Sequence, residues 1–171
     1  MTELTIRRAA PADAAALVSL AREVAAEPEG WLISSGENRS LGDERRFLRA
    51  VRHSRDAAVF VAETSEGIVG RLSVARDPHP ASAHVADLGL MVAKTHRRQG
   101  IGRALMEQAV DWARSARVAK LELHVFPHNV AAVRLYETFG FEREGYRKGH
   151  YLRSGGLVDA VLMAFEVRSL D

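Results

Sequence analysis

The chain contains no cysteine. That absence excludes disulfides, thiolate metal sites and cysteine nucleophiles together, so any acyl transfer here proceeds without an acyl-cysteine intermediate. No apolar run reaches membrane-spanning length, and the stretch from Met1 to Arg8 alternates polar and apolar residues without a hydrophobic signal core. A soluble, cytoplasmic protein with no membrane partner is the expectation. A strong excess of charge of one sign is also missing, since 24 basic residues against 22 acidic ones leave a formal charge of +2. The densest basic stretch, Arg45, Arg46, Arg49, Arg52 and Arg55, is interleaved with Asp43, Glu44 and Asp56. It reads as a solvated helix face, and no nucleic-acid partner is expected. The seven histidines are read as holding no metal.

What is present is an ordinary globular mixture, 47% hydrophobic and 27% charged over 171 residues, enough for one domain spanning 1–171 with its own core. Leu4 to Arg8 alternates as a strand, and Ala10-Pro11-Ala12-Asp13 closes it and opens a helix to about Ala26. The segment from Glu27 to Gly42 holds Pro28 and three glycines and reads as a loop placed to close over a site. Ser40 and Asp43 are positioned to cap a second helix carrying Phe47, Leu48 and Val51. Ala57 to Glu63 and Ile68 to Ala75 flank a turn as an antiparallel hairpin. Val85 to Val92 is mostly apolar, as for a strand buried on both faces.

The period then changes. From Gly100 to about Arg117 apolar residues recur at helical spacing, and Lys120 to Phe126 returns to strand. This strand, helix, strand order predicts a parallel pair joined by a right-handed crossover. Asn129 opens a short helix ending near Gly140, and Tyr146 to Leu152 with Leu157 to Val167 form a last hairpin. The class is α/β, with a mixed central sheet of about seven strands and flanking helices.

Between the buried strand and the long helix lies Arg97-Arg98-Gln99-Gly100-Ile101-Gly102. Glycines let a backbone turn sharply and approach a ligand, and the first amides of a helix point outward with the positive end of its dipole, as a phosphate requires. No Gly-Lys-Ser/Thr follows, and the three-glycine dinucleotide spacing is missing, so neither nucleotide motif is met. The loop resembles the acetyl-CoA signature of the GNAT superfamily, Gln/Arg-x-x-Gly-x-Gly/Ala. The run Asn129-Val130-Ala131-Ala132-Val133-Arg134-Leu135-Tyr136-Glu137-Thr138-Phe139-Gly140-Phe141 is similar to that family's second motif, Asn-x-x-Ala-x-x-Leu-Tyr-x-x-x-Gly-Phe. The order of elements resembles the family over nearly the whole chain, and the ending from Gly156 to Met163 is similar to small-amine members, including phosphinothricin-type acetyltransferases. Lys94 stands where a proline is common and Arg98 where a glycine is common.

The resemblance implies an N-acetyltransferase that uses acetyl-CoA, a small-molecule primary amine as acceptor, direct transfer, and a homodimer. It places the pyrophosphate on Arg97, Arg98, Gln99, Gly100, Ile101, Gly102 and Arg103, the pantetheine arm along Leu90, Met91 and Val92, and the rest of the cofactor near Asn129, Ala132, Leu135 and Tyr136. Tyr136 is the implied acid for the leaving thiolate, and an amide near Leu90 or Met91 the oxyanion donor. No motif fixes the base. Glu27, Glu29, Asp87 and His124 are the candidates, although some relatives keep a glutamate at the Ala86 position, which would turn Asp87 to the opposite face of a regular strand. Trp31 and Glu29 are placed to line an amine pocket. The competing readings are a non-catalytic acyl-CoA-binding regulatory domain and an acetyltransferase acting on protein N-termini or lysines.

Overall fold

The computed structural model describes residues 3–33 and 39–167. In chain order the elements are β1 (Thr5–Arg8), α1 (Ala14–Ala25), α2 (Leu41–Arg52), β2 (Ala57–Thr64), β3 (Gly67–Arg76), β4 (Val85–Val92), α3 (Ile101–Ser115), β5 (Lys120–Val125), α4 (Val130–Phe139), β6 (Glu142–Arg153) and β7 (Gly156–Glu166). The seven strands form one sheet in the order β1-β2-β3-β4-β5-β7-β6, in which only β4 and β5 run parallel. The expected cap of α2 is present: Ser40 Oγ accepts from the Asp43 amide at 3.1 Å.

Helices cover both faces. Leu17 of α1 and Leu48 and Val51 of α2 pack with Val59 and Val61 of β2. On the opposite face α3 buries Ile101, Leu105, Met106, Ala109, Val110, Trp112 and Ala113, a stripe at helical spacing. Gly70 lets this helix approach, because a Cβ there would lie 3.1 Å from Leu105 and 3.3 Å from Ile101.

The parallel pair is short. β4 and β5 are in register only from Val85–Lys120 through Asp87–Glu122. From Leu88 onward β4 stays paired with β3 as far as Val92, while β5 stays with β7 as far as Val125. The sheet therefore splits along its middle. The expectation that β4 is buried on both faces fails for the same reason. Ala86 and Leu88 are buried toward α3, but Asp87 and Gly89 on the other face are exposed, where they line an open cleft walled by Val18, Ala21 and Val24 of α1.

Candidate functional site

The site has two halves, and the backbone makes the first. The signature loop ends in Gly100, the N-cap of α3, at φ 82°, and Arg98 two residues earlier has φ 63°. Both are left-handed, which explains why position 98 favours glycine. The amides of Arg98, Gln99 and Gly100 meet no acceptor among the described residues, and the first amides of α3 lack partners by helix geometry. A Cβ on Gly100 would meet nothing within 4 Å, so the loop is open on its ligand side. At Gly102 a Cβ would sit 2.8 Å from Leu135 and 3.5 Å from Leu90. The two sequence motifs thus touch through a missing side chain. This cradle of amides with open space above it suits a diphosphate.

Arg97 differs from expectation. Its guanidinium donates to both oxygens of Glu27, at 2.8 and 2.5 Å, and its Nε donates to the Val92 carbonyl at 2.9 Å. It is a brace between the end of α1 and the end of β4, which leaves the loop amides and the exposed Arg98 and Arg103 to face an anion. The same pair removes Glu27 as a base. Arg97, reinforced by Trp31, holds its carboxyl below the usual range, so it stays ionised and engaged.

The split edge of β4 supplies the next part. The Ala93 amide donates to Val69 in the β3 strand and the Val85 carbonyl accepts from Asp77. Alternation therefore turns the backbone groups of Leu88, Leu90 and Val92 toward the missing β5 partner, and those of Met91 toward β3. Of the two expected oxyanion donors, Leu90 faces the gap and Met91 does not. Asn129 caps α4, its Oδ1 accepting from the Ala132 amide at 3.2 Å, and it lines the cleft with Ala132 and Tyr136.

Tyr136 is 6% exposed, and burial pushes its hydroxyl well above the usual phenol range. The hydroxyl therefore keeps its proton at neutral pH. The residues after it fix its position. Gly140, at φ 121°, closes α4 by donating to the Tyr136 and Glu137 carbonyls, and the Phe141 amide also donates to Tyr136. Phe141 then packs 5.8 Å from the Tyr136 ring and 5.4 Å from Phe165 of β7.

Side chains make the second half, a cleft of about 560 Å³ on the α1/α2 face. Asp87 lies in it, since Ala86 is the residue turned into the core. Water reaches Asp87, yet protein surrounds it in the cleft, and this burial, with Glu122 nearby, raises its pKa to about 6. His124, on the neighbouring strand and the same face, shares a 2.6 Å hydrogen bond between Nδ1 and the Tyr151 hydroxyl. Its pKa is lowered by burial, then by Arg147 and His150, so it is neutral at pH 7. Trp31 lines the cleft and donates to Glu27 at 2.8 Å. Glu29 does not, being exposed, with its carbonyl accepting from His128. His124 and His128 are four residues apart, but the chain leaves its strand between them and the rings take separate partners.

Sequence reasoning missed three cleft residues. Tyr151 has no motif around it. Glu44, assigned to a solvated face, is 1% exposed and accepts from Arg39 and Arg71, each at 2.8 Å. Arg71 is a charge in the middle of a mostly apolar central strand, and that charge was the signal available.

A sheet split beside an amide-rich helix start, with a cleft holding Asp87 on one face, suits an extended diphosphate-bearing donor in the split and an acceptor beside it. The Acetyltransferase (GNAT) family model matches residues 20–141. The chain belongs to this family and is an N-acetyltransferase with acetyl-CoA as cosubstrate. It is 32% identical over 168 residues to the L-amino acid N-acetyltransferase AaaT of Escherichia coli, covering 96% of this chain and 98% of that one. With the [ribosomal protein bS18]-alanine N-acetyltransferase of E. coli it shares 38% identity over 78 residues, 46% of this chain and 53% of that one. The Salmonella typhimurium acetyltransferase yncA, solved with acetyl-CoA, superposes with a TM-score of 0.86 at 20% identity, over 97% of this chain and 95% of that one.

Proposed function

We propose that the protein transfers acetyl directly to a primary amine bound in the cleft, with Asp87 as the proton acceptor and Tyr136 as the proton donor. The observation that carries this reading is the position of Asp87, on the cleft face where β4 and β5 part, with its pKa raised to about 6. An alkyl or α-amine has a pKa of about 8 to 10 and reaches the site mostly protonated. A carboxylate ionised just below neutrality can take that proton, directly or through a water, and still release it to solvent.

Acetyl-CoA supplies the thioester: the amine nitrogen forms the new C–N bond, the C–S bond breaks, and its electron pair leaves on sulfur. The residues of the chain carry the rest. The loop from Arg98 to Arg103 cradles the diphosphate, the Leu90 backbone and the Val92 amide pair with the pantetheine arm, and Ala132 and Leu135 pack against it. The Leu90 amide faces the developing oxyanion. The ammonium gives up two protons: one passes through Asp87 to solvent before attack, and the one released as the C–N bond forms replaces, through solvent, the proton that the Tyr136 hydroxyl gives to the leaving sulfur, so the products are an amide, a free thiol and one proton in solution. Both named relatives act on an amino-acid nitrogen, one on L-amino acids and one on an alanine of a ribosomal protein, which makes α-amines the first class to test.

The test is thiol release from acetyl-CoA with a panel of amino acids, polyamines, aminoglycosides, phosphinothricin and short peptides, followed across pH. The expected profile for the best amine has a rising limb near pH 6 that disappears in Asp87→Asn. Acetyl-CoA binding without turnover of any amine would favour the regulatory-domain reading, and a limb that survives in Asp87→Asn would move the base elsewhere.

A further inference from the structure

A positive charge lies in the same cleft, and the transfer chemistry does not use it. Arg71 stands on β3 opposite Met91, and its side chain is 12% exposed at the cleft wall. Its Nη1 donates to Glu44 at 2.8 Å and its Nε to Ser73 Oγ at 3.0 Å, while Nη2 meets no acceptor among the described residues. Glu44 also accepts from Arg39, so two guanidiniums share one carboxylate. The set carries one net positive charge, held against the Phe47 ring. Arg39 is 44% exposed and solvated, but Arg71 is largely out of water, where an Nη2 without an acceptor is unfavourable unless a ligand completes it.

The register gives the distance to the reaction centre. On the cleft face β3 presents Arg71, Ser73 and Ala75 opposite Met91, Gly89 and Asp87 of β4. The Arg71 backbone is therefore about 14 Å along the sheet from Asp87, at ~3.4 Å per residue. The guanidinium is folded back over Ser73, halving that distance, and over Gly89 a Cβ would meet nothing within 4 Å. What remains between the charged ends is a polar floor with open space above it, cationic on one side and anionic on the other. A compact molecule with an amine and a carboxylate on the same carbon fits this polarity, with the amine toward Asp87.

We infer that Arg71, braced by Glu44 and Ser73, is a carboxylate subsite, and that the acceptor is a free α-amino acid in preference to a peptide N-terminus. The inference rests on the transferase reading above for the place of the amine. A peptide carries an amide carbonyl where the free amino acid carries its carboxylate, and it would offer Arg71 Nη2 a neutral acceptor in place of a charged one.

Binding, read without catalysis, separates the two claims. Protein saturated with CoA is titrated calorimetrically with free L-amino acids, among them Ala, Leu, Met and Phe, and with the corresponding primary amides. The same series is then assayed for acetylation. Removing one charge-assisted contact is worth about 10- to 100-fold, so the acids that bind are expected to do so at least 10-fold more tightly than their amides. That ratio is expected to collapse toward one in Arg71→Met. Arg71→Lys keeps a charge on Glu44 if the methionine variant does not fold, and its ratio falls too, because one ammonium cannot span Glu44, Ser73 and a ligand in the guanidinium geometry. Acids that bind through Arg71 without being acetylated would preserve the subsite and overturn the transfer reading. Acids and amides bound equally well, or a preference unchanged in Arg71→Met, would overturn the subsite, even if both classes are acetylated.

Discussion

The gap between β4 and β5 and the cleft beside it lie next to each other, yet they are built on opposite principles. The gap works through backbone: amides at the start of α3, the unpaired edge of β4 after Asp87, and glycines at 100 and 102 that leave room. The cleft works through side chains brought from α1, α2, β3, β4, β5 and β6. A backbone site tolerates changes of side chain and fails when its geometry changes. A side-chain site does the reverse, so substitutions in the two halves should separate donor binding from acceptor chemistry.

The sharpest break falls in the cleft. Asp87→Asn is expected to lower kcat/KM by about 10²- to 10⁴-fold, the usual worth of a general base, with acetyl-CoA affinity unchanged by calorimetry. Stability should move the other way. The folded pKa of Asp87, about 6, lies above the ordinary carboxyl value near 4, so the folded chain binds the proton more tightly than the unfolded one. Wild-type stability therefore falls as pH rises between these values, and the ionised group remains unfavourable above pH 6. The asparagine variant should melt above the wild type at pH 8, and the two should converge below about pH 4. A variant that melts lower at pH 8 would mean that Asp87 is held by contacts and not strained by burial.

Tyr136→Phe comes next and lies where the two halves meet. Loss of the proton donor should reduce kcat by about 10²-fold, the low end for a general acid. Acetyl-CoA affinity and melting temperature should hardly change, because the hydroxyl meets no acceptor among the described residues and the ring packing against Phe141 survives. A large loss of acetyl-CoA binding would instead make the tyrosine part of the donor site.

The same contrast decides what could be read from sequence. The donor half follows from local rules, since a turn, a helix start and a cap each occupy consecutive residues, and α3, α4 and their loops lie close to the expected bounds. The acceptor half is assembled across long separations. Glu44 looks like one more charge on an amphipathic helix until β3 places Arg71 beside it, 27 residues later. Asp87 is expected on the face opposite Ala86 and is found there, but composition does not tell which of the two faces carries the cleft. Arg97 stands at its motif position, and its ion pair with Glu27, 70 residues away, is not legible in the motif.

That pair offers a smaller test of the donor half. Glu27→Gln removes a largely buried bidentate contact, and about 1 to 3 kcal/mol of stability should go with it. Because Arg97 depresses the Glu27 pKa, the contribution is complete above the ordinary carboxyl value and is lost as pH falls through the folded pKa. The gap between wild type and variant should thus close in acid. If the brace also orients the loop, the acetyl-CoA dissociation constant should rise by several-fold while the acid-to-amide preference stays as it was.

The smallest effect sets two terms of opposite sign against each other at one residue. Arg98 holds a left-handed conformation, φ 63°, which costs a non-glycine residue about 1 to 2 kcal/mol. Glycine removes that strain but loses about 0.5 to 1 kcal/mol through the greater freedom of the unfolded chain. Arg98→Gly should therefore gain about 0.5 kcal/mol, or roughly 1 to 2 °C in Tm for a chain of this length. The exposed guanidinium is also a charge beside the diphosphate cradle, where its loss should weaken acetyl-CoA binding by a few-fold at low salt and less at high salt, as screening predicts. Higher stability with weaker, salt-dependent binding would mean that the arginine is kept for the ligand at the expense of the fold. Higher stability with unchanged binding would leave the donor site to backbone amides alone, and the contrast between the two halves would be sharper still.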